Sequence, residues 1–313
     1  MLAYATRRII ATIPVILIVA LFVFSLLYIA PGDPAAIIAG DQATPADVER
    51  IRDSLGLDRP FVVRFVDWLW GVLHGDLGNS IFTNLPVSHM IAQRIEPTLS
   101  LMLLTLTLSL SCAIPMGVIA AWKHRTFIDR IVMLTAVFGF STPVFVIGYL
   151  LAYFFALKLD WVPVQGFTSI SQGFLPFLRN LILPAVALGL VYMALIARIT
   201  RATMLDVLSQ DYVRTAKAKG VGQRGILFLH ALKNAAVPIV TIVGIGFAAL
   251  IGGAVVTESV FAIPGLGRLT VDAILRRDYP VIQGVVLMFS FVYVMVNLLV
   301  DLLYTVFDPR IRY

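Results

Sequence analysis

The sequence predicts an all-α integral membrane protein with six transmembrane helices. A long helical segment lies outside the membrane after the first, and a short helix sits in a basic inner loop between the fourth and fifth. Three observations carry this. The 313 residues are 59% hydrophobic and 13% charged, with a mean hydropathy of +0.93, whereas soluble chains are about 25% charged. Apolar stretches close to the ~20 residues that cross a bilayer occur about at 9–30, 98–121, 131–157, 181–202, 236–257 and 282–306. The charges between them alternate in sign from one side to the other.

The first stretch follows Arg7 and Arg8 and runs from Ile9 to Ala30. The apolar region of a cleaved signal peptide spans roughly 7–15 residues, so this reads as a retained first helix rather than a leader cut near Ala30. The segment at 31–96 is too long for a simple connection. In it, Thr44 offers an N-cap, Pro45 a first helical residue, Asp47 an early acid and Gly56 a stop. Phe61, Phe65, Trp68, Leu69 and Val72 then recur at helical spacing, with Trp70 alongside. An aromatic helix of this kind suits the membrane interface. A third short helix is expected from about Pro86 to Glu96.

The second span carries two polar stripes at 100° per residue. Thr98, Thr105 and Ser109 form one, and Ser100, Thr107 and Ser111 form the other on nearly the opposite face. Small polar residues permit close helix packing or line a polar passage, and both readings stand. Pro14, Pro115, Pro143, Pro184 and Pro238 fall inside spans, as fixed kinks or as hinges. Gly244, Gly246, Gly252 and Gly253 thin one face of the fifth span, for packing within the chain or against a partner.

Six spans put both termini on one side. With the N-terminus inside, the inner segments hold fourteen basic residues: Arg7, Arg8, Lys123, Arg125, Arg130, Arg198, Arg201, Arg214, Lys217, Lys219, Arg224, Lys233, Arg310 and Arg312. Their acids are Asp129, Asp206, Asp211, Asp301 and Asp308, and the outer segments hold ten basic against thirteen acidic residues. That bias orients the chain N-in and C-in. It also accounts for the net charge of +6 without a phosphate-tracking patch, so nucleic acid is not an expected partner. Cys112 is alone inside an apolar run, and the four histidines are scattered through loops. No disulfide framework or metal site follows from such spacing.

The sequence offers no HExxH, GxSxG or Walker-type phosphate loop, so no enzyme chemistry is expected. The span centres lack the ionisable residues that proton- or sodium-driven carriers use, with Glu258, Asp301 and Arg198 near span ends. A stand-alone secondary transporter or channel is therefore disfavoured.

The most hydrophilic inner loop reads Asp211-Tyr-Val-Arg-Thr-Ala-Lys-Ala-Lys-Gly220, then Val-Gly-Gln-Arg-Gly225, then His230-Ala-Leu-Lys-Asn234. It resembles the cytoplasmic motif of ABC-importer permeases: Glu-Ala-Ala, three residues, Gly, nine residues, Ile-x-Leu-Pro. Ala216, Gly220 and Leu232 keep that pattern, while Arg214, Thr215, His230 and Lys233 depart from it. The match is much closer to the dipeptide/oligopeptide/nickel branch, where Tyr212–Gly220, His230–Ala235 and Pro238 agree nearly residue for residue. Pro31-Gly-Asp-Pro34, Gly75-Asp-Leu-Gly-Asn-Ser80, Glu258-Ser-Val-Phe-Ala-Ile-Pro-Gly-Leu-Gly267 and Asp308-Pro-Arg310 agree as well. The resemblance covers the whole chain, and its long outer segment is that of the first-named permease.

The resemblance implies a division into residues 1–30 (cytoplasmic N-terminus and first helix), 31–97 (periplasmic helical segment) and 98–313 (permease core with five spans). A coupling loop lies about at 203–235. It implies that Arg214, Thr215, Ala216, Lys217, Gly220, His230 and Leu232 contact an ATPase. The implied partners are a second homologous permease, two cytoplasmic ATPase subunits, a periplasmic binding protein and the lipid bilayer of the bacterial inner membrane. ATP and magnesium would reside on the ATPases, with no cofactor on this chain. Residues 31–96 and the loop about 265–280, with exposed Arg268, Arg276 and Arg277, are candidate surfaces for the binding protein. Peptides are the implied cargo, with nickel, glutathione or another small solute as the alternative.

Overall fold

The computed structural model describes residues 2–29, 34–40, 43–54 and 56–307. Residues 31–33 of the first quoted motif, the C-terminal Asp308–Arg310 and Arg312 lie outside them. Among the described residues the chain is helical, with an isolated bridge between Asn79 and Pro86. Five helices are long and apolar enough to cross a bilayer, and a sharply bent helix pair brings the number of candidate spans to six.

The first is α1 (Leu2–Ile29). The segment after it forms α2 (Pro34–Ala39), α3 (Pro45–Ser54) and α4 (Phe61–Leu73). The start of α3 is a reciprocal cap: the Asp47 N–H donates to Thr44 Oγ1 at 3.3 Å, and the Thr44 N–H donates to Asp47 Oδ2 at 3.2 Å. Gly56 ends the turn beyond it at φ +59°.

The aromatic stripe of α4 packs inward on α1. Phe24 meets Phe61, Phe65 and Trp68 at centroid distances of 5.3–5.5 Å, and Tyr28 meets Phe61 at 5.0 Å. Arg64, buried among them, lies over the rings of Phe24 and Tyr28. Val62, Val66, Trp70 and Leu73 form the exposed face of α4, so the helix is apolar on two sides.

The separate helix expected over Pro86–Glu96 does not exist. It is the outer end of α5 (Val87–Trp122), which runs unbroken through Pro97 and Pro115. Its 36 residues extend about 54 Å, well beyond the ~30 Å hydrocarbon core. Val87 and Ile91 pack with Leu266, Leu269, Val281 and Val285, holding the outer turns in line despite the hydrogen bond each proline removes.

A second difference concerns the stretch at 131–157, expected as one span. It is a pair, α6 (Phe127–Ser141) and α7 (Val144–Leu151, prolonged by a π-helical turn to Lys158), bent by 102°. The cause is local: Thr142 precedes Pro143 and is extended, at φ −91° and ψ 127°, because the proline ring disfavours the helical conformation for the residue before it.

At the centre stands α8 (Phe174–Leu208), packed by α5, α6, α7 and α10. Its Leu181, Leu188, Tyr192 and Ile196 form the core together with residues of the neighbouring helices such as Leu101 and Leu250. The helices approach at small residues. A Cβ placed on Gly117 would lie 2.7 Å from the Ala197 carbonyl oxygen, and one on Gly246 2.3 Å from the Tyr192 ring. The fifth span is one continuous helix, Gly225–Val260, comprising a π-helical stretch (Gly225–Leu232) and α10 (Lys233–Val260). The region expected as a loop over 265–280 is largely helix α11 (Leu266–Arg276), leading to the last span α12 (Tyr279–Phe307). Leu266, Leu269 and Ala273 bury its inner face. Arg8 and Asp301, 3.0 Å apart, tie the first and last helices together.

Candidate functional site

Between α8 and the fifth span lies a short amphipathic helix, α9 (Asp211–Ala218). Its single fully buried side chain is Val213, 0% exposed. Arg214, Thr215, Lys217 and Lys219 are exposed and Ala216 is half-buried. Arg214 pairs only loosely with Asp211, at 3.4 Å, so the outward face keeps a strong positive charge.

The end of α9 is closed by a glycine. The Gly220 N–H donates to the Lys217 carbonyl at 3.0 Å and the Val221 N–H to the Ala216 carbonyl at 3.1 Å, the two bonds of a Schellman motif. The motif needs a left-handed residue, and Gly220 has φ +80° with open space around it. Ala216 and Gly220 are thus two parts of one turn.

Two polar residues strap α9 to the start of the fifth span. Asn234 Nδ2 donates to the Tyr212 hydroxyl at 3.0 Å and to the His230 carbonyl at 2.6 Å. His230 is half-buried and contributes its backbone to this strap, and Leu232 packs against a core of Met204, Val207, Leu227 and Ala231. Spacing alone did not identify Val213 as the anchor or Tyr212 and Asn234 as the strap. Tyr212 and Asn234 are too far apart in sequence for any helical periodicity to relate them. Nearby, Arg201 on α8 holds Asp129 through Nε at 2.5 Å and Nη2 at 2.8 Å, fixing the turn before α6.

The two polar stripes of α5 separate cleanly. Thr98, Thr105 and Ser109 are all buried. Ser109 donates to the Gly189 carbonyl on α8 at 3.2 Å and Thr98 to Glu258 at 2.6 Å, while the Thr105 hydroxyl finds no partner among the described residues. Ser100 is half-buried, and Thr107 and Ser111 are exposed. Thr107 bonds back to the Leu103 carbonyl at 2.8 Å and Ser111 to that of Thr107. The fifth-span glycines divide in the same way: Gly244, Gly246 and Gly253 meet Val300, Tyr192 and Leu188, and Gly252 faces open space. At the other end of the bundle, the motif at Gly75–Ser80 docks on the turn before α12, where Ser80 Oγ donates to Asp278 Oδ2 at 2.5 Å. Exposed Glu49, Asp53 and Asp58 bring carboxylate oxygens within 4.8 Å of one another, an arrangement common on surfaces that hold no ion.

A strapped basic helix between two long spans is the feature by which the sequence resembled a transport permease, and comparison with known proteins is decisive. Residues 113–313 match the binding-protein-dependent transport system inner membrane component family, and residues 1–102 match its N-terminal companion. The chain belongs to this family. It is a multi-pass permease of the inner membrane, not itself catalytic, and its system includes a binding protein and an ATPase. The permease is 55% identical over 310 residues to a probable peptide ABC transporter permease protein of Sinorhizobium fredii, covering 99% of each chain. It is 48% identical to a putative peptide transport system permease protein of Brucella abortus over the whole of both chains. It is also 43% identical over the whole of both chains to a glutathione transport system permease protein of Salmonella typhimurium. Among solved structures, a chain of the inward-facing MetNI methionine ABC transporter shares the fold at a TM-score of 0.59 and 15% identity, over 70% of this permease and 96% of that chain.

Proposed function

We propose that this permease passes di- or oligopeptides across the inner membrane, taking them from a periplasmic binding protein and drawing energy from ATP hydrolysed, with magnesium, on partner subunits. The observation that carries the mechanism is α9, a rigid basic helix fixed by Val213, the Tyr212–Asn234 strap and the Gly220 turn to the helix Gly225–Val260. A helix held this way moves as one body with the span that follows it. Docked in a groove of an ATPase, it is a lever: closure of the ATPase pair displaces α9, and the fifth span follows. Arg214, Thr215, Ala216, Lys217 and Gly220 form the docking face, with His230 and Leu232 supporting it from behind.

The proposed assembly has one further homologous permease and two ATPases, with both termini of this chain in the cytoplasm. Residues 1–30, 31–97 and 98–313 serve as anchor, outer segment and permease core, and the outer segment with α11 faces the binding protein. Arg268, Arg276 and Arg277 are exposed there. Thr98, Thr105 and Ser109 act in packing, given their burial, and Ser100, Thr107 and Ser111 lie on the side left for a passage or a partner. Likeness to the peptide relatives supports peptide cargo. Likeness to the glutathione permease supports a second reading in which the cargo is that thiol tripeptide.

The deciding experiment reconstitutes the permease with its partners and measures ATP hydrolysis with binding proteins loaded with peptides, glutathione or a nickel chelate. Peptides are expected to stimulate turnover, and stimulation by the chelate alone overturns the cargo assignment. In the same system Ala216→Trp is expected to abolish uptake while membrane insertion stays at the wild-type level. Normal uptake with this substitution disproves docking through α9.

A further inference from the structure

Glu258 lies two residues before the end of α10 and is 0% exposed, a rare position for a carboxylate. Its partners belong to other helices. Thr98 on α5 donates its hydroxyl to Glu258 Oε1 at 2.6 Å and accepts the Leu266 N–H at 2.8 Å. The Arg268 N–H donates to Glu258 Oε2 at 3.0 Å. Leu266 and Arg268 are in the first turn of α11, whose N-cap is Gly265 and offers no side chain. The amides that a helix start leaves without partners are therefore capped by α5 and α10 rather than by α11 itself. Fit is close on every side: a Cβ on Gly265 would lie 2.3 Å from the Glu258 carboxyl, and one on Gly267 2.6 Å from the Val255 Cα.

This buried carboxylate therefore joins three helices, near the end of α10, at the start of α11 and about three turns into α5, and one of them belongs to the helix that begins beside α9. From Gly225 to Glu258 that helix is continuous and spans about 50 Å. We infer that Glu258 is the positioning residue that fixes α11 to α5 and to the end of α10, so that displacement of the fifth span at α9 is delivered to α11. A buried carboxyl group held by several hydrogen bonds resists sliding, since any shift leaves donors or acceptors unpaired at high cost. The inference rests on the docking role of α9 for the origin of the movement, but the joint itself is independent of that role.

The test separates the two. In a Cys112→Ser background, spin labels at Gln93→Cys on α5 and Asp272→Cys on α11, both exposed in the structure, report the joint on the permease in detergent without ATPases. One narrow distance distribution is expected. It should broaden in Glu258→Ala and in Thr98→Val, and return in Thr98→Ser, which keeps the hydroxyl. In the full transporter, Glu258→Ala, Glu258→Gln and Thr98→Val should cut uptake about tenfold, within the range seen for coupling elements. Basal ATP hydrolysis should persist but lose its stimulation by loaded binding protein, a split that poor folding does not produce. An unchanged distance in Glu258→Ala overturns the joint. A broadened distance with uptake and stimulation at wild-type levels overturns the transmission, whatever Ala216→Trp does.

Discussion

Val213 shows how much of the inner site rests on single side chains. Helix α9 has eight residues, too few to be stable alone in water, and Val213 is its one fully buried anchor. Val213→Ala removes two buried methyl-sized groups, worth about 1.5 kcal/mol. Amide exchange across 211–218 should accelerate about tenfold by that arithmetic, while exchange in α8 stays unchanged. Equal rates in both proteins would mean that something other than Val213 holds the helix. Gly220 is the second such residue. At φ +80° an alanine costs about 1 kcal/mol, so Gly220→Ala should loosen the same amides by a smaller factor. Spacing singled out Gly220, because turns that need a left-handed residue select glycine. It missed Tyr212 and Asn234, whose meeting depends on the direction in which the chain returns after Gly220.

Helix contacts follow the same logic one level up. Gly117 sits where α5 crosses α8, with the Ala197 carbonyl and Thr200 against it, whereas Gly252 on α10 faces open space. Gly117→Ala forces two helix backbones apart, an overpacking cost of about 1–3 kcal/mol, and should lower the melting temperature of the purified subunit by several degrees. Gly252→Ala should leave it unchanged or raise it slightly, since alanine is the better helix former. Equal melting temperatures for the two variants would refute the close packing at Gly117. The candidate spans were legible from hydropathy, because a bilayer demands a minimum length of apolar helix. The breaks were not. Among the described residues, Pro14, Pro97, Pro115, Pro184 and Pro238 lie inside continuous helices, whereas Pro143 accompanies a sharp bend. One proline reads like another in sequence. Whether a helix continues past it depends on packing such as that of Val87 and Ile91, which lies far from the proline itself.

At the scale of the molecule, α8 organises the chain, and the charge bias is the basis of the proposed orientation. The proposed N-in arrangement predicts that, in a Cys112→Ser background, Lys219→Cys is labelled by an impermeant thiol reagent only in inverted membrane vesicles. Leu275→Cys on α11, 78% exposed, should be labelled only in right-side-out preparations. The reverse pattern would invert the topology and remove α9 from any cytoplasmic ATPase. Composition and periodicity by themselves determined that this is a helical membrane protein, that the loop between its fourth and fifth spans is basic, and that 211–234 is its distinctive motif. These follow from properties summed over many residues, such as apolar length and Lys/Arg bias, which survive without knowledge of any contact. Only the tertiary structure decided which threonines face inward, that the third span is broken, and that Glu258 is the buried junction of α5, α10 and α11. Those outcomes depend on residues as far apart as Thr98 and Leu266 sharing one proton donor and one acceptor, and long-range packing alone brings them within 3 Å.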